Sequence, residues 1–187
     1  AKKLLQFDYV TFILRVLSSK VAESGAKGST RPPLYPGGGE EMTGKFEHTI
    51  DAKGRLFIPA RLREELGASF HIAIGSSRDE NGTPCKYLAL YPKAAWQQLE
   101  EKINALPSSQ AALADVLFAY AAACEPDSQS RILIPQPLRE YAGLERDVVI
   151  TGSGSKAKIW DKANWDSHSA PQLDAGRVAD MFDQLGL

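Results

Sequence analysis

The chain repeats itself. DAKGRLFIPARLREELG at 51–67 returns as DSQSRILIPQPLREYAG at 127–143. Aligned without gaps, 51–74 and 127–150 share nine identities in 24 positions, among them Asp51/Asp127, Arg55/Arg131, Pro59/Pro135, Arg63/Arg139 and Gly67/Gly143. Chance supplies about one or two at ordinary composition. The match resumes seven residues out of phase, LALYPKAAW at 88–96 against AKIWDKANW at 157–165. The loop between absorbs the difference. A unit of roughly 65–75 residues is only marginally able to fold alone, so two such units in tandem are expected to share one core.

Within a unit the patterning predicts β-β-short α-β-β-α. KFEHTI at 45–50 alternates, with Phe46, His48 and Ile50 on one side, the period of a half-buried strand. DAKG is a turn: Asp51 can bond its own backbone, and Gly54 can take positive φ. RLFI continues as a second strand up to Pro59, which suits the first turn of a helix better than a strand ladder. That helix covers about 60–66 and stops at Gly67. Strands near 70–75 and 87–91 follow, then a helix with Trp96, Leu99, Ile103 and Leu106 at helical spacing. One more helix is expected over 109–124, with Leu113, Val116, Leu117, Tyr120 and Cys124 on a stripe. YAAACEP reads as its end, although a very short strand can hide there. A last amphipathic segment, Val178, Met181, Phe182 and Leu185, is expected to dock the C-terminus.

These readings divide the chain into an extension and linker (1–41), a first repeat (42–91), a helical connection (92–124), a second repeat (125–170) and a C-terminal helix (171–187). Residues 25–41 are rich in Gly, Pro and Ser and keep no periodicity, as a linker does. Residues 1–41 are expected to be disordered or weakly helical, an extension ahead of a start at Met42 or an added segment. The apolar stretch 4–17 carries Asp8 and Arg15 and is too short to span a bilayer. No small-x-small cleavage site follows closely, so export is not expected.

Composition narrows the function classes. The 187 residues are 43% apolar and 24% charged, with a formal charge of −1. There is no global basic excess to announce nucleic acid or membrane, so charged function must be local. Cys85 and Cys124 lie 39 residues apart, fitting neither a disulfide framework nor a zinc module; a reducing, cytosolic setting is expected. His48, His71 and His168 have no metal-ligand spacing. No G-x-S-x-G elbow or acid–base constellation accompanies the serines. TGSGS at 151–155 lacks the following Lys-Ser/Thr of a phosphate loop and reads as a hairpin. Trp96 and Trp165 recur at equivalent places and read as core anchors. No catalytic residue, metal site or cofactor is expected.

The charge that remains is concentrated. Between Lys45 and Arg63 the chain carries Lys45, Lys53, Arg55, Arg61 and Arg63 against Glu47 and Asp51, which predicts a compact basic face. If Leu56 and Ile58 face the core, Arg55 and Phe57 face out, as Arg131 and Leu133 do in the second copy. An arginine fork binds phosphate or a guanine edge bidentately, and a two-stranded ribbon fits the major groove. DNA contact through Lys53 and Arg55 is one reading. A structural ion pair across each turn, Asp51 with Arg55 and Asp127 with Arg131, is the other, and for the aspartates it is the preferred one. Arg61 and Arg63 suit either a partner or solvent. The second copy has Gln129 for Lys53, Ser130 for Gly54 and Pro137 for Arg61, so its basic face is eroded.

The doubled D-x-x-x-R…P-x-x-L-R motif, with MTGKF before it and LALYPKAAW and KIWDKANW after, resembles the MraZ family over 42 to about 185. The resemblance implies an α+β fold of two AbrB-like swapped-hairpin β-barrel units forming an internal pseudo-dimer with flanking helices. It also implies a cytoplasmic, nucleoid-associated transcriptional regulator, usually a repressor, associated with the division and cell wall gene cluster. Such a protein assembles into ring-like homo-oligomers and binds direct repeats in double-stranded promoter DNA. The family's DNA-facing motif falls on Asp51, Lys53, Gly54 and Arg55, with Arg131 as counterpart; the residues at 129 and 130 depart from it. One weak face repeated around a ring gains about 10²- to 10⁴-fold in avidity. The rival reading is an oligomeric module that does not touch DNA; an enzyme is the weakest.

Overall fold

Residues 42–79 and 81–186 are described by the structure, a computed structural model. The expectations for residues 1–41 lie outside the described residues. The first copy supplies β1 (Lys45–Thr49), β2 (Arg55–Phe57), α1 (Ala60–Leu66), β3 (Phe70–Arg78), β4 (Pro84–Pro92) and α2 (Lys93–Asn104). A 3-10 turn (Ser108–Gln110) and α3 (Ala111–Ala119) lead into the second copy. That copy supplies β5 (Ala121–Cys124), β6 (Arg131–Leu133), α4 (Gln136–Ala142), β7 (Asp147–Gly152), β8 (Ala157–Asp161) and α5 (Lys162–Ser169). A second 3-10 turn (Ala170–Leu173) and α6 (Ala175–Leu185) end the described chain. Pro59 and Pro135 immediately precede the two short helices, and Gly67 and Gly143 terminate them with positive φ, as the repeat predicts.

The two copies interlock. Six strands form an antiparallel sheet in the order β1-β7-β8-β4-β3-β5, and β2 pairs with β6 in a separate ribbon. The first strand of each copy thus pairs with the third strand of the other: Phe46 lies opposite Ile150, and Phe70 opposite Cys124. The copies also meet at β4 and β8, where Leu88 faces Ile159. One copy alone would leave strand edges open and its aliphatic face wet. Leu56, Ile58, Ile132 and Ile134 are sealed between ribbon and sheet, and each such side chain contributes roughly 1.5–3 kcal/mol by leaving water. A second apolar cluster, Tyr87, Ala89 and Trp160 with Tyr91 and Trp165, forms separately from this core. The Trp96 indole stacks on His71 at 4.7 Å, and Trp160 on His168 at 5.0 Å.

Two expectations fail. Residues 109–124 are not one helix: α3 ends at Ala119, and Ala121–Cys124 is strand β5. Alanine is the best helix former, but propensity is a weak prior that tertiary context overrides, and β3 offers an edge on which 121–124 pair opposite 70–73. The Ile74 N–H extends that ladder to the Tyr120 carbonyl at 3.2 Å. β5 is the missing first strand of the second copy. Its Cys124 is buried, and burial pushes the thiol up to about 11, so it stays protonated at neutral pH. Of the stripe read on that helix, Cys124 is buried in β5, whereas Leu113, Val116 and Tyr120 are exposed. The C-terminal segment does form a helix, capped by the Asp174 carboxylate, which accepts from Gly176 and Arg177 N–H. It does not dock: Met181, Phe182 and Leu185 are exposed. Amphipathic spacing makes the segment a helix but does not by itself supply a surface for it to pack on. No helix among the described residues is long and apolar enough to cross a membrane.

Candidate nucleic-acid interface

Each copy builds the same turn around one aspartate. Asp51 Oδ1 accepts the backbone N–H groups of Lys53 and Arg55, both at 2.9 Å, and Oδ2 accepts Arg55 Nε at 2.7 Å. The Arg55 Nη2 reaches the same Oδ2 at 2.7 Å, so two guanidinium N–H groups converge on one carboxylate oxygen. Asp127 does the same for Gln129 and Arg131, with Nε at 2.9 Å and Nη2 at 2.7 Å. Hydrogen bonds from the arginine side chain, then from its backbone N–H, pull each aspartate carboxyl down to about 2. Both arginines are therefore held in one orientation by the turn that precedes them. The expected structural ion pairs exist, and they also aim the guanidinium groups.

The turns are joined through the ribbon. Ile134 N–H donates to the Gly54 carbonyl and Ile58 N–H to the Ser130 carbonyl, each at 2.9 Å. On the outer face Arg55 sits opposite Leu133 and Phe57 opposite Arg131. Gly54 takes φ +79°, which glycine adopts freely; Ser130 takes φ +63°, the one non-glycine residue in that region among those described.

Exchange redistributes the basic residues, and the single compact basic face expected over 45–63 does not form. Arg61 Nη2 donates to Thr43 Oγ1 at 2.9 Å. Thr43 is eight residues before Asp51 along a largely extended chain, roughly 20–25 Å away. Arg61 thus lies at the far end of the hairpin from Lys53 and Arg55, the end where Ile58 meets the second copy's turn. Arg63 follows on α1, with its Nε buried and without a hydrogen-bond partner among the described residues. Lys45 is taken up by Glu47 at 3.1 Å, which also binds Lys162. In exchange, the second copy brings Arg139 to the first turn. A Cβ built on Gly54 would stand 3.0 Å from Arg139 Cζ, and Arg139 Nε donates to the Ile134 carbonyl at 3.2 Å. A shallow concavity beside the turn is lined by Asp51, Ala52, Arg139, Glu145 and Arg146, among others. Reading the first copy in isolation missed Arg139 and Arg146. The signal that could have found Arg139 is its identity with Arg63 in the repeat.

The remaining candidates fall where a structural role places them. TGSGS closes the β7–β8 hairpin, with Ser153 N–H donating to the Lys156 carbonyl at 2.8 Å. No group of three or more His, Cys, Asp or Glu side chains able to hold a metal lies among the described residues.

Comparison with known proteins follows the same duplication. The family model described as "MraZ protein, putative antitoxin-like" matches residues 42–119 and again 117–180. A Transcriptional regulator MraZ from Heliobacterium modesticaldum is 46% identical over 129 residues, covering 67% of this chain and 85% of the relative. The one from Carboxydothermus hydrogenoformans is 47% identical over 128 residues, covering 67% and 84%. The one from Acetivibrio thermocellus is 40% identical over 148 residues, covering 77% and 98%. With its two copies, each carrying an aspartate-clamped arginine turn, matched at this level across 84–98% of those relatives' length, the chain belongs to the MraZ family.

Proposed function

We propose that this chain is a transcriptional regulator that binds double-stranded promoter DNA through the β2–β6 ribbon and its two flanking turns. The observation that carries this is the pair of clamped arginines, Arg55 and Arg131, on the outer face of one exchanged ribbon. A guanidinium fixed before binding loses less entropy on contact, and a two-stranded ribbon fits the major groove. Lys53, Arg139 and Arg146 around the first turn, and Arg61 and Arg63 at the other end, supply cations for backbone phosphates. Gly54 lets Arg139 approach. Ser130 and Gln129 make the second end the poorer in cations, so Arg55 carries the main contact and Arg131 the lesser one. The relatives named as regulators of transcription support this reading.

The finer picture belongs to the same proposal. The repeats at 42–91 and 125–170 act together as an AbrB-like, swapped-hairpin pseudo-dimer. A cytoplasmic, nucleoid-associated homo-oligomer, ring-like, would present the ribbon several times to direct repeats upstream of its own gene and repress the division and cell wall cluster. The exposed apolar residues of α3 and α6 suit contacts between copies. They also favour the second reading, an assembly module without DNA contact.

The experiment is a fluorescence-anisotropy titration of upstream duplex with wild type, Arg55→Ala and Arg131→Ala. One bidentate contact supplies about 1–3 kcal/mol, so Arg55→Ala should bind roughly 5- to 150-fold more weakly. With about three phosphate contacts per engaged subunit, the slope of log K against log salt should be near −2.7 per subunit. Wild-type affinity for Arg55→Ala, or a salt-independent complex, would favour the assembly module.

A further inference from the structure

The outer face of the ribbon is not uniformly polar. Its four side chains form a checkerboard, Arg55 beside Leu133 and Phe57 beside Arg131, with the guanidinium groups on one diagonal and the apolar groups on the other. Leu133 is 62% exposed and Phe57 40%, whereas the alternate residues Leu56 and Ile132 are sealed below. Fold stability explains the inner pair and not the outer one. The His48 ring packs against Phe57 at 5.4 Å between centroids, bracing it from one side, and burial lowers the pKa of that imidazole, so at neutral pH it brings no charge. Cross-strand neighbours lie about 4.5–5.5 Å apart, so the patch is about as wide as one or two base-pair steps.

We infer that Phe57 and Leu133 are specificity-determining residues that pack on thymine C5-methyl groups while the diagonal arginines take neighbouring guanine edges or phosphates. This rests on the reading that the ribbon faces DNA. The occupant follows from charge and shape. The apolar pair is small and is rimmed by Arg55 and Arg131, with Lys53 and Arg139 at one end and Arg61 at the other. Such a rim suits a polyanion. Among the base edges presented in the major groove, the thymine methyl is the apolar group, and aromatic side chains are among its usual partners. Phosphate contacts alone would leave both side chains in water.

Full-length protein is titrated against the upstream duplex and against the same duplex with deoxyuridine replacing thymine, which removes only methyl groups. Burying one methyl is worth a factor of roughly four. Wild type should lose about that factor for each methyl covered. Phe57→Ala and Leu133→Ala should bind the thymine duplex more weakly and respond less to deoxyuridine, and Phe57→Leu should keep most of the response. Wild type indifferent to deoxyuridine overturns the inference without any substitution. So do alanine variants that keep the full wild-type response, or that change only the assembly state by light scattering, which would make the patch a protein interface. Arg55→Ala is the control on the underlying reading. If it binds the thymine duplex like wild type, the DNA-facing assignment fails. If it weakens binding while the methyl response is absent, only the roles of Phe57 and Leu133 fail.

Discussion

Gly54→Ala tests whether the first turn has the geometry that the site depends on. At φ +79° an alanine pays about 1–2 kcal/mol in the left-handed region. Loss of glycine's freedom in the unfolded chain returns roughly 0.4–1 kcal/mol. The new Cβ then stands 3.0 Å from Arg139 Cζ and 3.1 Å from its Nε, closer than an unstrained contact, so the guanidinium must shift by a few tenths of an ångström. That shift loosens the 3.2 Å bond to the Ile134 carbonyl, worth about 0.5–1.5 kcal/mol. The net cost is about 1–2 kcal/mol, or roughly 2–8 °C in Tm for a chain of this size. The reciprocal change, Ser130→Gly, removes strain at φ +63° but adds unfolded-state entropy of similar size, so its Tm should stay within about 2 °C of wild type. Differential scanning fluorimetry at one fixed protein concentration measures both. A neutral Gly54→Ala, or a Ser130→Gly that destabilises as much as Gly54→Ala, would refute the paired left-handed turns.

Two further outcomes follow from the same geometry. The Asp51 and Asp127 carboxyls are held at about 2 against 3.8 when unperturbed. A depressed folded value stabilises the fold above the unfolded value, and that stability is lost as pH falls through the folded one. Tm should therefore drop between about pH 4 and pH 2, and the double variant Asp51→Asn/Asp127→Asn should show a shallower drop over that window. At Gly152 a Cβ would collide with the Met42 and Thr43 backbone, where Gly152 N–H donates to Gly44 at 2.8 Å and Met42 N–H to Gly154 at 2.9 Å. Gly152→Ala should cost about 1–3 kcal/mol, as overpacking does, read as a lower urea midpoint with unchanged slope.

How much of this was legible along the chain depends on how far apart the interacting residues stand. Asp51 and Arg55 are four residues apart, and the turn between them is local chemistry; the repeat of that spacing at Asp127 and Arg131 made both turns readable. The alternation that seals Leu56 and Ile58 and exposes Arg55 and Phe57 is likewise a short-range period, and it held in both strands. β5 was legible only as a helix end in which a very short strand could hide, because Ala121–Cys124 has no period of its own; it is strand because β3 supplies an edge. The C-terminal stripe was legible as a helix, but amphipathicity does not say what a helix packs against.

The sequence was enough to reveal the duplication, the two aspartate turns with an ion pair as one reading of each, and the family resemblance, because these rest on identities and spacings within a few residues. Which basic residues share a surface was decided in three dimensions. β1 pairs with β7 and β5 with β3, and the first turn meets the helix of the other copy: Arg139, 85 residues downstream of Gly54, packs on it, while Arg61, six residues from Arg55, sits at the opposite end of the hairpin. Strand exchange satisfies open sheet edges and closes one core over both copies, and no local pattern specifies which cations it brings together.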